Sequence, residues 1–210
     1  MMSQYQRAFS FIMKVLRCKH EVDNLLHRVR DLRHRADPAA RDLTTKLLRL
    51  RHEAMVFSNG LLRYVMEVGV EVPWAQFASK LGAIKMSSMA AAQGKSHPDS
   101  PAAKAVQGLR DLYQLHEDYI ADIHWRLFLA ERQKPILTLI ESLLDCVHAL
   151  ARECEAQTTH NQIQNWHDEF QTRMRMMVGI LKKMGARASS RESECFVILK
   201  TYLDCNQFWG

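Results

Sequence analysis

The sequence predicts an all-α protein, an elongated antiparallel bundle of six or seven helices within a single domain spanning residues 1–210. Three observations carry that expectation. Apolar residues recur at alternating steps of three and four through every long stretch of the chain. Glycine (8) and proline (5) are scarce in 210 residues, so long uninterrupted helices are allowed. No alternating apolar–polar run of useful length exists, and no internal repeat shows at a fixed period.

The first helix is expected over about residues 3–35, with a seam of Tyr5, Phe9, Ile12, Leu16, Val22, Leu25, Val29 and Leu32. Asp37-Pro38 then supplies a helix cap followed by a proline pre-set for the first helical position. The short connection makes helices one and two antiparallel neighbours. Helix two is expected to reach about residue 70 on a seam of Leu43, Leu47, Leu50, Ala54, Phe57, Leu61, Tyr64 and Val68. Gly60 interrupts that seam without shifting its phase, which points to a kink or a close helix contact. Gly69 to Pro73 is expected to end the helix in an extended Val-Glu-Val corner, followed by a short helix from Trp74 to about Ile84.

Residues 85–101 are small, polar and proline-containing, and are expected to form a flexible internal loop. Ser100-Pro101 repeats the cap-and-proline signal. A helix over about 102–132 follows, carrying Leu109, Leu112, His116, Ile120, Ile123, Leu127 and Ala130 on one face. Pro135 marks a break. The next helix places Ile136, Ile140, Leu143, Val147 and Leu150 in register. Another carries Ile163, Trp166, Phe170, Met174, Met177, Leu181 and Met184. A last one spans about 190–204.

Charge is uneven. Residues 1–55 hold 12 Lys/Arg against 6 Asp/Glu, and residues 56–210 hold 17 against 17, so the net +6 lies on the first two helices. That end suits an acidic partner or surface, or is simply a solvated basic face. No run of about 18 apolar residues exists, so no membrane span is expected. The start of the chain lacks a secretory layout, and five scattered cysteines without a CxxC pair read as reduced thiols.

Catalytic and metal patterns fail one by one. Gly94-Lys95-Ser96 looks like the end of a phosphate loop, but the position five residues before Gly94 is Met89 and no strand precedes it. His52-Glu53 lacks the second histidine of a zinc-protease helix. His116 and His124 lie about 12 Å apart along a helix, too far to share an ion. His148, Cys146 and Cys154 also lack ligand spacing. No enzymatic activity, metal or cofactor is expected.

Residues 50–77, LRHEAMVFSNGLLRYVMEVGVEVPWAQF, resemble the C-terminal region of gamma-tubulin complex components, also called spindle pole body components. The match runs through Leu50, Arg51, Phe57, Leu61, Tyr64, Glu71 and Trp74, and departs at Gly60 and Gly69. Three further stretches fit in order. They are Tyr5, Phe9, Phe11, Ile12 and Arg17; His116, Tyr119, Ile120 and Ile123; and the closing Leu203, Asp204, Asn206, Phe208 and Trp209.

The resemblance implies a helical domain that binds gamma-tubulin and works with other complex components in microtubule nucleation. It implies a place in the cytoplasm and cytoskeleton, at a spindle pole body or another microtubule organizing centre. It also implies that the family's large N-terminal domain is missing here, as in a fragment, a truncated gene product or a degenerate copy. Phe57, Leu61 and Tyr64 are expected to pack. Arg51, which lies off the seam, and Asn206, Phe208 and Trp209 at the end are the candidate partner-binding residues. The alternative is a basic helical scaffold that binds nucleic acid or another acidic partner through Arg28, Arg30, Arg33 and Arg35. No helix-turn-helix or stacking platform supports the nucleic-acid form of it.

Overall fold

A computed structural model describes residues 2–33, 38–92, 109–153, 160–187 and 190–209. These form α1 (Met2–Arg33), α2 (Pro38–Tyr64), a π-helical stretch (Val65–Glu71), α3 (Val72–Ala92), α4 (Leu109–Arg126), a 3-10 turn (Glu131–Gln133), α5 (Lys134–Glu153), α6 (His160–Arg187) and α7 (Ser190–Leu203). The all-α expectation holds, and no strand occurs among the described residues. The expected six or seven helices become five long ones (α1, α2, α3, α5 and α6), with α4 and α7 shorter.

Four of the long helices, α1, α2, α6 and α5, pack in a ring around one core. Arg51 Nε in α2 donates to the Val22 carbonyl in α1 at 3.2 Å, at similar distances from where α1 ends and α2 begins, as an antiparallel hairpin requires. Arg173 Nη1 in α6 donates to the Ser142 carbonyl in α5 at 2.6 Å and joins the second hairpin. Between hairpins, Lys14 Nζ meets Glu141 Oε1 at 2.6 Å, and seven residues further along each helix Glu21 pairs with His148. The matched spacing makes α1 and α5 parallel. α7 then closes over α2 and α6.

The seams of α2, α5 and α6 lie where the periodicity puts them. Leu50, Phe57, Leu61, Tyr64, Ile140, Leu143, Phe170 and Met174 are all buried. The first half of α1 does not. Its core face is Ala8, Phe11, Val15, Cys18 and Val22, while Tyr5, Phe9 and Leu16 are exposed. The core contact there uses small Ala and Cys side chains that let α1 lie close to its neighbours, so the bulkier residues one step round the helix are left outside.

Gly60 marks a close contact. A Cβ there would stand less than 3.0 Å from the Tyr202 carbonyl oxygen, so α7 lies directly on the α2 backbone. The corner expected at residues 69–73 is instead continuous helix. Val72 is α-helical (φ −61°, ψ −50°) and Pro73 is buried within the first turn of α3. Pro73 has no N–H and its ring would collide with the carbonyl four residues back. The wider π turn immediately upstream loosens that spacing, so the rod continues. Consequently residues 85–92, expected as the start of a loop, extend α3 with good helix formers such as Lys85, Met86 and Ala90. Residues 93–101 of that expected loop lie outside the described residues.

Where α4 ends, the chain turns through Phe128 in the left-handed region (φ 59°). Tyr64, Phe128 and Phe196 stack there at 5.6 and 5.8 Å, and the Tyr64 hydroxyl donates to the Arg126 carbonyl at 2.9 Å. The ladder ties α2, the end of α4 and α7 together. Burial pushes the Tyr64 hydroxyl well above the ordinary tyrosine range.

Cys18, Cys146 and Cys195 are free and buried, and Cys205 is free and exposed. Burial pushes Cys18 from 9.0 up to about 12 and Cys146 from 9.0 up to about 11. A thiol whose pKa is raised by folding contributes stability that is complete below its unfolded value. That contribution is lost as pH rises toward the folded value. The expected result is a melting temperature that falls steadily from about pH 9 to pH 11. At pH 8, peptide mapping after brief alkylation should find Cys205 labelled and Cys18 and Cys146 protected.

Candidate partner interface

The C-terminal tail folds back because one aspartate holds it. After α7, the Asp204 amide still donates to the Lys200 carbonyl at 2.8 Å, and Asp204 Oδ1 accepts the Trp209 amide at 2.9 Å. Gln207 takes a left-handed conformation (φ 54°) to make that return, and its amide donates to the Asp204 carbonyl at 3.2 Å. Trp209 is thereby driven edge-on against Phe170 of α6, at 6.1 Å between rings, and against Phe208 at 4.6 Å. Asp204 Oδ2 is buried without a hydrogen-bond partner.

Between this tail and the outer positions of α2 lies a groove of about 340 Å³, with Arg49, His52, Glu53 and Val56 on one wall and Asn206, Phe208 and Trp209 on the other. Glu53 is the buried member of that first wall. Its carboxylate lies 2.9 Å from His167 Nε2, 3.3 Å from Arg49 Nε and 3.3 Å from Gln171 Nε2. A buried carboxylate with Arg49, His167 and Gln171 around it ties α2 to α6. Among the described residues no group of three His, Cys, Asp or Glu could hold a metal ion.

The four candidate residues separate by burial. Arg51 is half-buried and spends its Nε on the Val22 carbonyl, so it fastens the first hairpin. Trp209 is buried as the plug under the tail, while Asn206 and Phe208 (60% exposed) form the rim. The structure therefore brings three of the four together and leaves Arg51 apart from the groove. Sequence reasoning missed Glu53, Arg49 and His167. A signal existed: Glu53 lies three residues after Leu50 and four before Phe57, on the edge of the core seam, where a carboxylate needs partners.

A second hollow, of about 630 Å³, lies between α3 and α4 and is lined by Phe77 and Lys80 on α3 and by Tyr119, Asp122 and Trp125 on α4. Phe77 stacks on Tyr119 at 4.9 Å, and Trp74 meets Tyr119 edge-on at 6.2 Å. His116, one turn before Tyr119, lies 5.7 Å from the Tyr5 ring of α1. Of the His116–Ile123 motif, Ile120 and Ile123 are buried and the other two positions join α4 to α1 and α3. On the side facing α7, Glu67 in the π stretch is hydrogen-bonded by the hydroxyl of Tyr202 and by Arg63, which together hold its carboxyl below the usual carboxylate range. The side chains of Arg28, Arg30, Arg33 and Arg35, on which the nucleic-acid alternative rests, lie outside the described residues. No described helix is long and apolar enough to cross a membrane.

A family model described as gamma tubulin complex component C-terminal matches residues 1–209. No curated protein and no solved structure gives a significant match to the chain.

Proposed function

The chain belongs to the gamma tubulin complex component C-terminal family, and on that premise we propose that it is a gamma-tubulin-binding subunit acting in microtubule nucleation. The family match over residues 1–209 is the observation that carries this reading. The fold supports it. Two hairpins are tied within and between themselves by side chains that cross from helix to helix, and a template that holds several gamma-tubulins at fixed spacing requires a scaffold tied in this way. The chain would act by positioning alone, with gamma-tubulin and other complex components as partners. Its place would be cytoplasmic, at a spindle pole body or another microtubule organizing centre. Asn206 and Phe208 are the direct contacts of this reading, with Trp209 and Arg51 holding the elements that present them.

The test is binding of purified gamma-tubulin to immobilised chain at physiological salt. Saturable binding is expected, and Phe208→Ser combined with Asn206→Ala should weaken it by about tenfold, the effect of losing one aromatic anchor. No association with the unaltered chain would overturn the reading. Unchanged affinity in the double variant would remove the tail from the contact.

A further inference from the structure

Glu53 and Asp204 both line the groove between α2 and the C-terminal tail, and they are not equally served. Glu53 is met by Arg49, His167 and Gln171. Asp204, 5% exposed, is only half satisfied. Its Oδ1 accepts the Trp209 amide at 2.9 Å, and its Oδ2 is buried with no donor. Among the described residues the other buried side-chain atoms without a partner belong to the neutral amide of Gln133, so Asp204 is the one ionisable group left in this state. A carboxylate oxygen withdrawn from water without a donor is costly, and the cost falls away when a bound group supplies that donor.

Charge, depth and rim say what that group is. Arg49 and Glu53 offset one another at 3.3 Å, and Arg49 makes no bond to Asp204 Oδ2, which leaves the Asp204 carboxylate as the uncompensated charge of the groove. The ligand is therefore a cation. Among the described residues no cluster suited to a metal ion exists, so the cation is organic. Oδ2 lies below the surface, and the walls above it include the apolar Val56 and Leu203. The donor must then arrive on a long, slender, largely apolar arm. At the mouth, Phe208 is 60% exposed, and Asn206 beside it carries a side-chain carbonyl open to a further N–H. A planar cation with several N–H donors uses both, by stacking on the ring and by hydrogen bonding on either side.

We propose that the groove is a guanidinium subsite, filled by an arginine side chain of a partner segment. The methylene arm lies against Val56 and Leu203, the planar head stacks on Phe208, and its N–H groups donate to Asp204 Oδ2 and to the Asn206 side-chain carbonyl. Phe208 and Asn206 give way to admit it, while Trp209 stays tied to Asp204 Oδ1. The assignment goes beyond the functional reading above, since it fixes the chemistry of what enters the groove and holds whichever protein carries the arginine.

The experiment titrates the full chain with acetyl-arginine amide and with acetyl-citrulline amide, its neutral isostere, and follows the backbone amide resonances of Asn206 and Trp209. The arginine ligand should give saturable shifts with a Kd of about 1 mM, as suits a single anchoring side chain. The citrulline ligand should bind about tenfold more weakly or less. Asp204→Asn keeps an oxygen for the Trp209 amide and removes the charge, so it should weaken arginine binding by about tenfold and leave the citrulline titration unchanged. Phe208→Ala, at an exposed position, should weaken arginine binding by about threefold, and it serves as the second arm if Asp204→Asn releases the tail. Equal binding of the two ligands, or arginine binding undiminished in both variants, overturns the subsite. No saturable shift in the unaltered chain means that water satisfies Asp204, and overturns it too. Each of these failures leaves the gamma-tubulin reading standing, because the titration contains no gamma-tubulin.

Discussion

Phe57→Ala is expected to remove about 3–5 kcal/mol of stability, the range for truncating a fully buried aromatic. Phe57 is wholly buried, and its ring meets Phe170 edge-on at 5.9 Å. That contact sits where the first hairpin faces the second. The loss therefore combines burial, the edge-on ring contact and a cavity between two helices that are each held by other neighbours and cannot collapse to fill it. Against a total of about 5–15 kcal/mol for a typical domain, the variant should sit near the edge of folding at 37 °C. Chemical denaturation followed by circular dichroism measures it. A midpoint within error of the unaltered chain would show that the α2–α6 contact does not carry the core.

Gly60→Val is the second large effect, and it acts through backbone. The atoms in the way are the Tyr202 carbonyl and the Leu203 Cα, neither of which can rotate aside as a side-chain tip can. α7 must shift outward, which strains the Tyr202 to Glu67 hydrogen bond and the stacked Tyr64–Phe128–Phe196 ladder together. Overpacking of this kind costs about 1–3 kcal/mol, occasionally more. The added loss of branched-residue freedom in a helix is small by comparison. Gly60→Ala should cost less than valine but keep the same sign, although alanine is the better helix former. A stabilised alanine variant, measured by thermal melt, would mean that helix propensity and not the α7 contact governs this position.

The seams of α2, α5 and α6 were legible because their core residues are large and evenly spaced. Leu, Phe and Met at three- and four-residue steps leave no competing phase. α1 defeated the same reading because its true core face includes Ala8 and Cys18, which give a weak apolar signal, while Tyr5 and Phe9 give a strong one from the solvent side. At Gly69–Pro73 local preference and tertiary packing point in opposite directions, and packing wins. A proline following a β-branched residue usually ends a helix, but here burial of Val65, Val68 and Pro73 carries the rod through a π turn. At the tail, the motif ending in Trp209 was legible as a family feature. That Trp209 is the plug and Phe208 the rim was not, because it depends on a left-handed turn at Gln207 and a bond from a buried aspartate. The arginine expected on the surface, Arg51, is consumed by a carbonyl of the neighbouring helix, a demand that periodicity does not register.

The parallel placement of α1 beside α5 has a consequence for the order of assembly. Lys14 and Glu141 are 127 residues apart in the chain, as are Glu21 and His148. Each hairpin can form from local contacts alone, but the core closes only when the two meet across that separation, the slow kind of step in folding. During synthesis, α1 and α2 emerge before α5, α6 and α7, which supply the rest of the core that their seam packs against. Slowing should therefore concentrate at Phe57 and Phe170, where the halves meet, and spare the α1–α2 tie at Arg51.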